Sequence, residues 1–199
     1  MSNTLNYYNS YFDEYYDKTV GIDMSNLYDK FLRYINYSGD ILDLGCGSGR
    51  DSFFFSKKGY NVTAIDGSEN LARKASKLLS KEVKVCKFED LALNKEQFDG
   101  VWALASLLHV SKESIVDVIN NVSHGLKDGG VFYMSFKYGD IEYIDCNDRY
   151  FNCYTEDSFK DVLKEVKSLK IIEMYKTEDK MPNRDNLVWL NVLCMKNNN

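Results

Sequence analysis

The chain of 199 residues is of single-domain length and long enough to bury a core of its own. With 44% hydrophobic residues, 28% charged residues and one proline, it is neither intrinsically disordered, nor collagen-like, nor a disulfide-stapled miniprotein. Thirty acidic against 25 basic side chains leave a net charge of −5, a field that repels nucleic acid and anionic membranes, so neither is an expected partner.

Residues 1–38 predict a helical cap. Tyr8, Tyr11, Phe12, Tyr15 and Tyr16 share one stripe at helical spacing, and Tyr28, Phe31, Leu32 and Ile35 share another. Packing on a core accounts for most of such a stripe; Tyr8 and Tyr16 are expected to face a substrate pocket as well. The first 20 residues carry carboxylates and no apolar signal region, and the longest apolar stretch, 101–108, is far short of the ~20 residues that span a bilayer. Neither secretion nor a membrane span is expected. Five scattered cysteines without a CxxC pair suit a reduced, cytoplasmic setting.

From residue 40, β-rich runs alternate with helical patterns. Strands are expected at 41–44, 61–66, 83–86, 101–104 and 131–136. Between them, Phe53 to Phe55 open a helix that Gly59 ends, Ser68 caps one bearing Leu71, Ala75, Leu78 and Leu79, and Ser111 caps one bearing Ile115, Val118, Ile119 and Val122. Thr155 caps a last helix with Phe159, Val162, Leu163 and Val166. The runs 169–175 and 187–195 follow with a loop too short for a crossover helix, so they pair antiparallel. The expectation over 39–196 is an α/β domain: a Rossmann-like, doubly wound, mixed seven-stranded sheet with a reversed C-terminal strand. Beyond it lies only the asparagine tail at 197–199.

Chemistry concentrates in Asp43-Leu44-Gly45-Cys46-Gly47-Ser48-Gly49-Arg50, at the end of the first strand. Its glycines permit a tight turn and close approach of a ligand to the backbone, with free N–H groups expected at the following helix terminus, so a nucleotide-like ligand is implied. In a dinucleotide fingerprint counted from Gly45 the third glycine falls at Arg50, and no Gly-Lys-Ser/Thr follows as in a P-loop. Arg50 is either a surface residue of the first helical turn or the partner of an anion.

An acidic residue followed by GxGxG resembles the first motif of the class I S-adenosylmethionine-dependent methyltransferases. Asp66-Gly67-Ser68 stands where that family binds the ribose, 17 residues after Gly49. Phe98-Asp99-Gly100-Val101-Trp102 and Lys127-Asp128-Gly129-Gly130-Val131 resemble its later motifs. The resemblance implies that Asp43, Gly45, Cys46, Gly47 and Gly49 hold the methionine part of S-adenosylmethionine, with Arg50 on its carboxylate. It further implies that Asp66, Gly67 and Ser68 hold the ribose and that Ala103 backs the sulfonium. Lys87 occupies the place of the acidic residue that commonly meets adenine, leaving the Phe88 backbone or the Glu89 carboxylate for that contact.

His109, at the carboxyl edge of the sheet, is the candidate general base, against the alternative of a loop-bonded histidine; His124 reads as structural. The basic run from Arg73 to Lys87 reads as a solvated face. Cys146 and Cys153 read as buried small hydrophobes, and no metal-ligand spacing occurs. The Ala103-Leu104-Ala105-Ser106 sequence lacks the motif of base-amino methyltransferases. The expectation is therefore methyl transfer to O, N or S of a small molecule, with Lys137, Tyr138, Arg149 and Arg184 on the rim as acceptor contacts. The alternatives are an RNA or protein methyltransferase, a nicotinamide-dependent oxidoreductase, or a non-catalytic cofactor-binding protein. Oligomeric state is not readable.

Overall fold

A computed structural model describes residues 2–181, 184 and 186–197, so the last two asparagines of the tail lie outside the described residues. Three short helices open the chain: α1 (Ser2–Ser10), α2 (Phe12–Thr19) and α3 (Ser25–Leu32). The alternating core follows as β1 (Asp40–Leu44), α4 (Arg50–Lys57), β2 (Asn61–Asp66), α5 (Glu69–Leu79), β3 (Lys84–Val85), β4 (Phe98–Ala103), α6 (Ile115–Gly125) and β5 (Leu126–Lys137). A hairpin of β6 (Glu142–Ile144) and β7 (Tyr150–Asn152) precedes α7 (Glu156–Glu165), β8 (Leu169–Glu178) and β9 (Val188–Lys196).

The main sheet runs β3-β2-β1-β4-β5-β9-β8. Its first five strands are parallel, and β9 inserts antiparallel between β5 and β8. This is the expected seven-stranded mixed sheet. Alternation along β1 sorts its side chains between two cores: Leu42 and Leu44 join Val101, Phe132 and Ile119 on one face, while Ile41 joins Trp102, Phe31 and Phe55 on the other. Such burial on both faces is characteristic of a parallel sheet.

α3 reaches the second core because β4 carries glycine where they cross. A Cβ on Gly100 would lie 2.3 Å from Ile35 Cδ1 and 2.7 Å from Phe31 Cζ. Ser68 caps α5 by accepting from the Leu71 N–H, and Thr155 and Ser158 form a reciprocal capping box on α7.

Several expectations are corrected. Position 111 is not the cap of α6: Ser114 holds that place, and Ser111 Oγ accepts the Ser114 N–H within the preceding turn. The third strand shrinks to two exposed edge residues. The β6–β7 hairpin has no counterpart in the sequence pattern. Cys146 is exposed, whereas Cys153 is buried, and Tyr11 on the aromatic stripe is 51% exposed. No helix among the described residues is long and apolar enough to cross a membrane.

Candidate functional site

Strand order reverses between β1 and β4, and in doubly wound sheets ligands bind beyond the carboxyl ends of the strands at that switch point. Two cavities occupy this edge. The narrower, about 60 Å³, is lined by Gly45, Gly47, Asp66, Gly67, Lys87 and Phe88 among others. The larger, about 400 Å³, lies under α2 between the ends of β5, β8 and β9. Tyr8, Tyr15, Ala105 and His109 line both, so the cavities meet there.

The floor of the narrow cavity is the glycine turn, with left-handed backbone at Gly45, Gly47 and Gly49. A Cβ on Gly47 would come within 3.2 Å of the Tyr15 ring, and one on Gly45 within 2.5 Å of Ser106 Cβ. Side chains are therefore excluded where a ligand must touch the backbone. Within the turn itself, ahead of the α4 terminus, most amides are taken. The Gly45 and Cys46 N–H groups both donate to the Ile65 carbonyl, Gly47 N–H donates to Asp66, and Gly49 N–H donates to the Cys46 carbonyl. What the turn presents to the cavity is bare backbone at Gly45 and Gly47, with Tyr15 packed over the latter, rather than those four donors.

Asp66 ends β2 facing this cavity, its carboxylate accepting from the Gly47 and Ser68 N–H groups. Burial raises its pKa, and those two donors oppose the rise. Leu71, Phe88 and Ala105 give apolar wall and Asp66 an acceptor, the combination a ribose and a flat base require. The residues present fit an adenosyl group. Above them, Leu5 closes on Gly67 and Tyr15 on Gly47.

Other expected residues fall elsewhere. Asp43 is buried beneath the turn, accepting from Ser52 Oγ at 2.6 Å, and lines neither cavity; burial, aided by nearby Asp51, holds its pKa high. Cys46 is buried, its thiol pushed up by burial, and Ser68 is spent on the α5 cap and on Asn9. Glu89 is exposed outside the lining, so Phe88 and Lys87 are the residues of that segment that reach the cavity. Ala103 is fully buried; Ala105, left-handed at φ 51°, takes the place at the junction. Tyr16 lies under Lys74 of α5 and Tyr138 under Lys176, both away from the cavities.

Arg50 lines the larger cavity, its Nε donating to Asp51 at 2.6 Å and its Nη1 to the Thr19 carbonyl. Lys137, Arg149 and Arg184 line it too. His109 is held at both ring nitrogens: Nδ1 lies 2.7 Å from the Tyr150 carbonyl and Nε2 2.8 Å from the Tyr8 hydroxyl. A carbonyl only accepts, so Nδ1 carries the proton and Nε2 accepts from Tyr8. Burial pulls His109 down to about 4 and pushes the Tyr8 hydroxyl up, leaving a neutral pair. The Tyr8 contact joins α1 to a loop 101 residues away and has no signal in local sequence.

Comparisons with known proteins agree with this fold. A family model described as a methyltransferase domain matches residues 41–130. An uncharacterized methyltransferase of Staphylococcus carnosus is 27% identical over 173 residues, covering 79% of this chain and 82% of that protein. A solved S-adenosylmethionine-dependent methyltransferase of Methanosarcina mazei superposes with a TM-score of 0.74 at 20% identity, over 84% of this chain and 96% of that one. The Burkholderia thailandensis 1,6-didemethyltoxoflavin-N1-methyltransferase, solved with 1,6-didemethyltoxoflavin and S-adenosylhomocysteine bound, superposes at 0.77 with 18% identity, over 99% and 88% of the two chains.

Proposed function

Because this chain is a class I S-adenosylmethionine-dependent methyltransferase, we propose that its acceptor is a small molecule that enters the 400 Å³ cavity and is methylated on O, N or S where the two cavities meet. That meeting, at Tyr8, Tyr15, Ala105 and His109, is the observation that carries the reading. When bound, the cofactor supplies an electrophilic methyl group on a sulfonium that is already a good leaving group. The protein then has to align the acceptor and exclude water, for which orientation contributes about 7–11 kcal/mol in favourable cases.

In this reading Gly45, Gly47, Asp66 and Gly67 hold the adenosyl part and Arg50 the methionine carboxylate. Ala105 stands behind the reacting centre. An acceptor O–H or N–H gives its proton to the Tyr8 oxygen as the Tyr8 proton passes to His109 Nε2, while Nδ1–H stays on the Tyr150 carbonyl. His109, pulled down to about 4, is a weak base, so the relay suits an acceptor atom that loses its proton readily. A neighbour of the same fold that holds 1,6-didemethyltoxoflavin and S-adenosylhomocysteine together supports a small acceptor.

The test is methyl-labelled S-adenosylmethionine incubated with the protein and separate panels of metabolites, total RNA and protein. Label is expected in a metabolite. Transfer confined to RNA or protein sinks the small-molecule reading.

A further inference from the structure

We propose that the acceptor carries an anionic oxygen group, a carboxylate or a phosphate, and that the Lys137 ammonium seats it. The inference rests on the small-molecule reading above and specifies the chemistry of that molecule.

Lys137 ends β5 and lines the large cavity. Among the described residues it forms no ion pair: its Nζ donates to the Tyr143 hydroxyl at 2.7 Å and lies 3.4 Å from the centroid of the Phe151 ring. The neighbouring cations are differently placed. Arg149 is clamped by Asp145 through Nε at 3.0 Å and Nη2 at 2.6 Å, and Arg50 is held by Asp51. Arg184 faces Asp179 at 3.6 Å. Arg149 and Arg184 stand close enough to Lys137 for their charges to act on it. Each of these guanidinium groups has a carboxylate partner of its own, whereas the partly buried Lys137 has none among the described residues.

A half-buried ammonium without a carboxylate partner is costly unless an anion completes it, and the ring face offsets only part of that cost. The methionine carboxylate of the cofactor is not that anion. Strand order places β4 between β1, which carries the glycine turn, and β5, so Lys137 is about two strand spacings, roughly 10 Å, from the cofactor's floor. Phe151, Leu108 and Trp189 line the same cavity and suit an apolar body behind the anionic group. Charge-assisted hydrogen bonds are roughly twice as strong as neutral ones, so the seat discriminates anion from neutral isostere.

The test uses the full chain loaded with S-adenosylhomocysteine, titrated calorimetrically with benzoate, phenyl phosphate and the neutral benzamide. At least one anion is expected to bind about tenfold or more tightly than benzamide, a difference that Lys137→Met abolishes and Lys137→Arg retains. The tighter anion identifies carboxylate or phosphate as the group. The proposal falls if benzamide matches both anions, if neither anion binds, or if Lys137→Met leaves the preference intact. If that variant does not fold, the unaltered protein and Lys137→Arg decide. The affinity for S-adenosylhomocysteine is measured alongside. Unchanged in Lys137→Met, it separates this proposal from the parent reading; weakened, it assigns Lys137 to the cofactor and overturns the proposal.

Discussion

Burial decides the charge state of His109, and with it both a catalytic and a stability signature. Its folded pKa of about 4 lies below the ordinary 6.5, so between those values the unfolded chain binds more protons than the folded one. The stability that His109 contributes is thus complete above about pH 6.5 and is lost on acidification toward 4, by up to about 3 kcal/mol. Asp43 and Asp66, raised by burial, act with the opposite sign, so the difference between wild type and His109→Gln is the quantity to follow. Denaturant unfolding at pH 5 and pH 7.5 should show the stability advantage of wild type over His109→Gln shrinking at the lower pH. Tyr8→Phe removes the hydroxyl bonded to His109 Nε2, which in the proposed relay takes the acceptor proton. Its kcat is expected to fall about 10²-fold, while the Kd for S-adenosylhomocysteine stays within a few-fold of wild type. Equal losses in both would reduce Tyr8 to a wall of the pocket.

At the scale of elements, α1 behaves as a cover latched onto α5. Asn9 Oδ1 accepts from Ser68 Oγ and from the Asn70 N–H, and Asn70 Nδ2 donates to the Asn9 carbonyl, so one residue of α1 grips the N-terminus of the helix that follows Asp66. A narrow cavity of about 60 Å³ does not admit an adenosyl group while Leu5 and Tyr15 lie on the glycines. Entry past these two side chains requires α1, which carries Leu5, and α2, which carries Tyr15, to shift. Asn9→Ala should speed association of S-adenosylhomocysteine several-fold in stopped-flow fluorescence, with a stability loss of only about 1 kcal/mol, and should raise amide exchange across α1. An unchanged association rate would mean that the ligand enters another way. The β6–β7 hairpin serves the larger cavity instead, since its Tyr150 carbonyl fixes the His109 tautomer and Asp145 beside it clamps Arg149.

Across the molecule, Asp51 ties the N-terminal helices to the sheet. Its carboxylate accepts from Tyr28 of α3 at 2.5 Å, from Arg50 Nε at 2.6 Å and from Trp102 Nε1 of β4 at 2.8 Å, all close below the glycine turn. Trp102 stacks on Tyr133 of β5 with centroids 4.0 Å apart, which carries the linkage across the next strand. Trp102→Phe keeps an aromatic ring but removes one of the donors to Asp51, at a cost of about 1–3 kcal/mol. Thermal unfolding should show a lower Tm with far-UV ellipticity and tyrosine fluorescence still moving together, because α3 and the sheet share one core. A separate early transition of the N-terminal helices would contradict that shared core.

What the sequence by itself determined was encoded over short separations. Short β-rich apolar runs marked β1 and β2, Ser68 and Thr155 marked their helices, and the spacing at Gly45, Gly47 and Gly49 pointed to the ligand class. The loop after residue 178 was too short for a crossover, which reversed β9. Tertiary structure alone decided which side chains meet. Tyr8 reaches His109 because α1 folds back over the switch point; Ala105 replaces Ala103 at the junction because the chain turns left-handed there; Asp43 withdraws beneath the turn to Ser52. Local propensity extends over a few residues, whereas a site is assembled from strand ends and loops that are distant in the chain, so its contacts exist only once the sheet has brought those ends to one edge.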